Sequence, residues 1–120
     1  VASFTGVVRG GDGLMALELE HYPAMTQAQV ARIVEDAKAR WPLLGVSVIH
    51  RVGWLEPGAR IVFVGTASRH RTAALESCAF LIDWLKSHAP FWKKEHFEGG
   101  ATQWVEARAE DEAKAKEWGG

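Results

Sequence analysis

The sequence has a single cysteine, Cys78, among its 120 residues, so an internal disulfide cannot form. One thiol fits a reducing compartment, and we expect the protein in the cytoplasm. Cys78 falls in the middle of a predicted helix, which indicates a buried, inert thiol. The sequence also lacks a signal-peptide pattern and any apolar run near the ~20 residues that a membrane-spanning helix needs. We therefore expect neither a membrane protein nor a disulfide-stabilised secreted domain.

An excess of charge of either sign is also missing, because 14 Lys and Arg stand against 15 Asp and Glu. Overall charge therefore does not indicate a nucleic acid or an anionic membrane as partner, and any anion site must come from a local cluster. His21, His50, His88 and His96 show no metal-ligand spacing, and one cysteine cannot form a structural zinc site. We expect no metal and no cofactor.

The length fits one domain spanning residues 1–120. The predicted strands are Val1–Arg9, Leu14–Tyr22, Val46–Leu55, Arg60–Ser68, Phe91–Phe97 and Thr102–Arg108. Glycine-rich turns join the first two and the last two, so we expect each of these pairs to form a hairpin. A Glu56-Pro57-Gly58 turn separates the middle two.

Two main helices are predicted between these strands. The first opens at Met25-Thr26, where Thr26 and the glutamine three residues later have the spacing of a capping box, and Pro42 ends it. The second runs from about Arg71 to His88. Its apolar stripe is predicted at Leu75, Ala79 and Ile82, with Cys78 and Leu85 beside it. The charged segment Glu110–Trp118 is predicted to be a surface helix. The order ββαββαββ predicts an α+β fold rather than a doubly wound parallel sheet.

Lys86 is the first candidate functional residue, because one further step of the stripe after Ile82 puts its ammonium at the edge of the apolar face. It is either a snorkelling lysine at a helix C-terminus, where a cation is favoured, or a partly desolvated acid, base or nucleophile. Lys93 and Lys94 follow Pro90, and strand alternation lets only one of them point towards Lys86. The alternative there is an exposed strand with ordinary lysines.

The run Arg69-His70-Arg71, at the predicted start of the second helix, is the second candidate. Free backbone N–H groups and side-chain donors could bind an anion there, and the alternative is a solvated basic turn. Arg9 precedes a glycine-rich turn that lacks the spacing of a phosphate loop or a dinucleotide motif. From the residues alone, the sequence predicts an anion pocket without naming its substrate.

Several short strings run through the sequence in the order typical of one enzyme family. They are Phe4-Thr5-Gly6, Leu19–Pro23 with Met25-Thr26, Arg40-Trp41-Pro42, Val48–Gly53, Val62–Gly65, His70-Arg71, Ala89–Glu95 and Trp104–Arg108. On these strings the chain resembles the large, catalytic subunit of molybdopterin synthase over nearly its whole length. The resemblance implies an α+β fold of the α/β-hammerhead kind, with antiparallel hairpins and two main helices. Relatives have residues before Phe4, and we expect an upstream segment here.

The resemblance also implies an activity, that of a sulfurtransferase. Such subunits convert cyclic pyranopterin monophosphate (precursor Z) into molybdopterin by installing the two sulfurs of a dithiolene. The sulfur is carried as a thiocarboxylate on the C-terminal Gly-Gly of a small ubiquitin-like partner subunit. The implied assembly is a heterotetramer, with a central homodimer of large subunits, and no nucleic acid or membrane is implied.

By position, Lys86 and Lys93 match the two active-site lysines of the family. The positions that match its substrate contacts are Phe4, Val7, Val8, Arg9, His70, Arg71, Lys94, Glu95 and Arg108. The resemblance implies that Arg9, with His70 and Arg71 reaching across the dimer, holds the phosphate and the pterin. The lysines would stabilise the thiocarboxylate oxyanion and move protons. Relatives often have a basic residue at the position of Val7, so one contact is expected to be lost or replaced.

Two other functions remain open. A non-catalytic module could bind a ubiquitin-like tail or an acidic ligand through the same pocket. Single-stranded RNA binding would use aromatic residues among basic ones, but the near-neutral charge and the tryptophans at apparent core positions count against it.

Overall fold

The computed structural model describes residues 1–88 and 91–105. In chain order the elements are β1 (Ala2–Val7), β2 (Leu14–His21), α1 (Pro23–Arg40), β3 (Gly45–His50), β4 (Gly53–Leu55), β5 (Arg60–Ala67), α2 (Arg71–Ser87), β6 (Phe91–Phe97) and β7 (Thr102–Val105). The predicted α+β fold with two main helices and antiparallel pairing is confirmed. Pro90, Arg108 and the predicted helix Glu110–Trp118 lie outside the described residues, and the single domain over 1–120 stays a prediction.

The strands form two antiparallel sheets. The first sheet has the order β1-β5-β3 and the second has the order β4-β2-β6-β7. The predicted hairpin at β6 and β7 is confirmed, with Lys94 opposite Trp104. The predicted hairpin of β1 with β2 is wrong, because β1 pairs with β5 while β2 pairs with β4 and β6.

The glycine-rich segment after β1 explains why that hairpin does not form. The Val8 N–H donates to the Ala59 carbonyl at 2.9 Å, and the Gly58 N–H donates to the Val8 carbonyl at 2.8 Å. The chain then passes through three consecutive positive φ angles, 101° at Gly11, 54° at Asp12 and 77° at Gly13. These left-handed conformations, which glycine adopts readily, turn the chain out of the first sheet and into the second.

The predicted strand Val46–Leu55 is two strands that belong to different sheets. β3 pairs with β5 in the first sheet, and β4 pairs with β2 in the second. Between them the Arg51 N–H donates to the Ile61 carbonyl at 2.8 Å, and Gly53 has a φ of 91°. A positive φ interrupts an extended strand, so the chain crosses between sheets here as well.

Helix α1 begins two residues earlier than predicted, because Pro23 occupies its first turn, where a missing N–H costs nothing. The predicted capping box does not form. Thr26 lies inside the helix, buried, and its hydroxyl hydrogen-bonds His21 Nδ1 at 2.9 Å. The helix ends at Arg40, before Pro42, as predicted.

Helix α2 has nearly the predicted bounds but a different buried face. Leu75 is 58% exposed, so the predicted stripe through it is wrong. The residues that face the core are Ala74, Cys78, Leu81 and Leu85. They pack against Val64 of β5 and against Ile33 and Ala37 of α1. Apolar residues at consecutive positions of α2 fit either face, and a shift of one position rotates the stripe by roughly 100°.

Cys78 is buried in this core, as predicted. Burial raises the pKa of its thiol, which fits an inert side chain. A second cluster, formed by Val8, Leu19 and Leu55, joins the two sheets and packs against Phe91. Neither of the two helices in the described ranges is long and apolar enough to cross a membrane.

Candidate active site

A cavity of about 380 Å³ lies where β1, β5, the end of β3, the last turns of α2 and β6 meet. We call it the lysine cavity, since Lys86 and Lys93 both line it. Its walls are mostly apolar and include Phe4, Val7 and Ile82. The structure therefore brings together, from three elements, four of the residues singled out in the sequence.

The two lysines reach the cavity from different directions. Lys86 lies in the last turn of α2, directly after buried Leu85, and is exposed at the cavity edge. Lys93 lies on β6 opposite Leu19 and is half-buried. Lys94 points to the opposite face of β6, with its Nζ 5.4 Å from the centroid of the Trp104 ring. The prediction that only one of the two strand lysines points towards Lys86 is confirmed.

The β1 wall depends on a close approach between the Gly6 backbone and the Val62 side chain. A Cβ at Gly6 would lie 2.8 Å from Val62 Cγ1, and real structures essentially never show so short a contact. Any larger residue at position 6 would therefore force the Val62 side chain to shift. Val7 follows at a register irregularity and is 54% exposed. Its apolar side chain adds no charge to the cavity wall.

Arg9 and Glu95 form an ion pair beside the cavity and do not line it. Arg9 Nη2 lies 3.7 Å from Glu95 Oε2, with the Arg9 side chain 69% exposed and that of Glu95 14% exposed. A pair this open to water contributes little to stability. Val8 is buried in the second cluster with both backbone groups bonded, so its part here is structural.

His70 and Arg71 lie at the other end of α2. His70 is the N-cap residue, and its N–H donates to Ser68 Oγ at 3.1 Å. Fifteen residues separate Arg71 from Lys86, which is about 22 Å along a helix. The side chains of His70 and Arg71 are both exposed. Within one chain, the Arg69-His70-Arg71 run and the lysine cavity are separate.

His50 lines the lysine cavity, a position that was not predicted from the sequence. Its ring stacks on Phe91 with centroids 3.9 Å apart and planes at 16°. Its Nδ1 donates to the Arg51 carbonyl at 2.8 Å. Strand alternation could have found it, because Val46, Val48 and His50 share the inward face of β3.

The pKa of His50 lies below its ordinary value. Burial is the main cause, since it disfavours the charged ring. The hydrogen bond to the Arg51 carbonyl opposes this effect, while the positive charges of Lys93 and His21 lower the pKa further. His50 is therefore a neutral imidazole beside two lysines.

The tryptophans are less buried than the sequence indicated. Trp54, Trp92 and Trp104 are each about half exposed, so the expectation of core positions is wrong for these three. Glu18 and Glu20 pair with Trp54 and Trp92 across the second sheet, and their carboxylates would repel a phosphate backbone. In the described parts of the chain, no three His, Cys, Asp or Glu side chains are grouped to hold a metal ion.

Comparison with known proteins decides the family. Residues 1–88 match the family model described as MoaE protein. The chain belongs to the MoaE family. A molybdopterin synthase catalytic subunit from Brucella melitensis biotype 1 is 52% identical over 120 residues, covering 98% of this chain and 74% of that protein. The predicted family, and with it the prediction of a molybdopterin synthase catalytic subunit, is confirmed.

Solved structures of the MoaE family agree with this fold. The MoaE protein from Burkholderia ambifaria MC40-6 superposes with a TM-score of 0.82 at 47% identity, covering 99% of this chain and 79% of that one. A more distant structure, from Helicobacter pylori 26695, is a complex of subunits 1 and 2 of molybdopterin-converting factor. It has a TM-score of 0.70 at 24% identity, covers 90% of this chain and 70% of that one, and supports the fold alone.

Proposed function

We propose that this chain transfers sulfur from the thiocarboxylated C-terminus of a small ubiquitin-like subunit to cyclic pyranopterin monophosphate (precursor Z), which yields the dithiolene of molybdopterin. The observation that carries the proposal is the convergence of Lys86 and Lys93 on one cavity. The cytoplasmic location inferred from the single cysteine stays a prediction.

The charges in the lysine cavity suit this chemistry. A thiocarboxylate is an anion, and the substrate carries a phosphate. When the acyl carbon is attacked, its carbonyl oxygen becomes an oxyanion. Ammonium groups beside apolar walls stabilise such charges more strongly than they would in water. Lys93, half-buried on β6, is suited to the acyl oxygen, and Lys86 at the edge is suited to the incoming substrate.

The cavity also suits the end of a carrier protein. A Gly-Gly terminus has no side chains, so it can enter a narrow space between Phe4, Val7 and Ile82. The partner is thus expected to deliver its last residues into the cavity while its folded part stays outside. The Helicobacter pylori structure with this fold is a complex of two subunits, and we propose an assembly of that kind for this chain.

Arg9, His70 and Arg71 are proposed to hold the phosphate and the pterin. Because His70 and Arg71 lie about 22 Å along α2 from Lys86, they would act on the cavity of a second copy. The proposal therefore includes a homodimer at the centre of a heterotetramer, with each site built from two large subunits.

A reconstituted reaction tests the proposal. Purified protein, the thiocarboxylated partner and precursor Z should give molybdopterin, and Lys86→Ala should lower the rate by about 10²-fold or more. Binding of the partner, measured by calorimetry, should stay unchanged in Lys86→Ala. If the wild type binds the partner but never turns over, the chain is a binding module and the enzyme assignment to this cavity is wrong.

A further inference from the structure

Sulfur transfer from an acyl group requires water, and water must lose protons. Once the carrier's sulfur is bonded to a substrate carbon, the two are joined as a thioester, which hydrolysis must release: the acyl C–S bond breaks and a C–O bond to a water oxygen replaces it. The carrier then departs as a carboxylate, and the sulfur stays on the substrate as a thiolate. Water thus gives up two protons, and the first must be accepted as the C–O bond forms. This inference rests on the function proposed above.

The lysine cavity offers few groups that could accept that proton. A lysine ammonium has three donors and no acceptor, so Lys86 and Lys93 in their charged forms cannot serve. Among the described residues that line the cavity, none is an aspartate or a glutamate. Glu95 lies nearby on β6 but is paired with Arg9. His50 is the nitrogen base that remains.

The geometry of His50 fixes which nitrogen is available. Its Nδ1 lies 2.8 Å from the Arg51 carbonyl oxygen, which can only accept, so Nδ1 carries the hydrogen. In the neutral ring Nε2 then has the free lone pair. The stack on Phe91 at 3.9 Å holds the ring in one plane, and Phe91 also stacks against His21. A ring held this way needs little reorganisation before it takes a proton.

We propose that His50 Nε2 accepts the proton of the water that attacks the acyl carbon, while the neighbouring lysine ammonium groups stabilise the oxyanion. The basic groups near His50 include Lys93 on β6, His21 on β2 and Lys86 on α2 across the cavity. Burial is the main effect that disfavours a charged imidazole, and electrostatic repulsion from Lys93 and His21 adds to it. The ring is thus kept in the form that can act as a base at neutral pH.

Single-turnover kinetics of His50 variants test this inference. His50→Gln removes the base, and His50→Phe keeps an aromatic ring against Phe91 without any acceptor. Both should lower the rate by about 10²-fold or more and leave the affinity for the partner unchanged. The acidic limb of the wild-type rate profile, where His50 becomes protonated, should disappear in both. Free imidazole should restore part of the rate to His50→Ala.

His96→Gln is the control, because His96 lies on β6 beside Glu18 and Trp54 and does not line the lysine cavity. It should stay within about threefold of the wild type. If the wild type is active and His50→Gln is equally fast, the proposed role of His50 is refuted and the proposed function stays intact. If His50→Gln is slow but keeps the acidic limb, and imidazole does not rescue His50→Ala, the role of His50 is structural and the inference is also overturned. An inactive wild type refutes the proposed function itself.

Discussion

The two ends of α2 both carry basic residues, but only one end has the surroundings of an active site. At the C-terminal end, Lys86 meets Lys93 and His50 from two other elements around an apolar cavity. At the N-terminal end, His70 and Arg71 follow one another in sequence and are exposed. Solvent and salt weaken the electrostatic interactions of charges in open water, whereas the interactions of charges beside apolar walls are stronger. Convergence from distant segments, more than a run of like residues, therefore marks the site.

The N-terminal end of α2 is exposed, and its backbone bonds are local. His70 uses its N–H and carbonyl within the turn and the helix, bonding Ser68 and Ala74. Its side chain and that of Arg71 do not line the lysine cavity of their own chain. We propose that this end becomes part of a site when another surface covers it. A second copy of the chain is the partner that our proposal supplies.

The largest expected effect separates two adjacent lysines on β6. Lys93→Ala should lower the single-turnover rate by about 10³-fold, because it removes a cation from the cavity wall. Lys94→Ala changes the same residue type on the opposite face of β6, beside Trp104. Its single-turnover rate should stay close to that of the wild type. Rates of molybdopterin formation from equal amounts of partner measure both. Equal losses in the two variants would contradict the assignment of the cavity as the active site.

A second effect tests whether the exposed end of α2 serves the cavity of another copy. Arg71→Ala should raise the KM for precursor Z roughly tenfold or more, since it removes a charge-assisted contact to the phosphate. The lysines of each cavity, and thus the chemical step, stay intact.

Mixed dimers of Arg71→Ala and Lys86→Ala chains sharpen this test. If the two residues act across the dimer, one of the two sites in each mixed dimer has both native residues, and turnover rises above that of either parent. If they act within one chain, both sites stay defective. Absence of any recovery in mixed dimers of confirmed composition would rule out a shared site.

A smaller effect is expected from the wall of the cavity. Gly6→Ala should destabilise the fold by about 1–3 kcal/mol, because the new methyl group overlaps the Val62 side chain. Gly45→Ala on β3 is the control, since a Cβ there meets nothing within 4 Å. Urea unfolding of the two variants gives the difference. A stable Gly6→Ala protein with normal activity would mean that β1 and β5 are not held this closely.

The smallest effect concerns the stability of the fold at low pH. His50 has a lowered pKa in the folded state because burial disfavours its charged form. The unfolded chain therefore binds a proton more readily, and stability is complete above the ordinary value of 6.5 and falls as the pH decreases below it. His50→Gln should show a flatter decline than the wild type in urea unfolding across that range. An identical decline would mean that His50 is not desolvated.

Much of the fold and part of the site follow from the sequence. Helix bounds were predicted well because Pro42 and the 3.6-residue period act locally. The pairing of β1 could not be predicted, since a glycine-rich turn shows that the chain reverses but not which strand it then meets. The buried face of α2 was misjudged, because Ala74 and Leu75 are both apolar and only packing against β5 distinguishes them.

The site shows the same division between local and long-range information. Lys86 was found because it follows Ile82 by one helical step, and both line the cavity. Its meeting with Lys93 and His50 depends on how β3 and β6 are placed around the end of α2, which no local pattern encodes. Strand alternation limited the second lysine to Lys93 or Lys94, and the resemblance to the family selected Lys93. The place of His50 in the cavity came from the structure.

The position of the partner's C-terminus in a crystal structure of the complex tests the central claim most directly. Our account predicts that the terminal glycine lies inside the lysine cavity, with its carbonyl oxygen within hydrogen-bonding distance of Lys86 Nζ or Lys93 Nζ. A terminus that ends elsewhere on the surface, with the cavity left open, would contradict it.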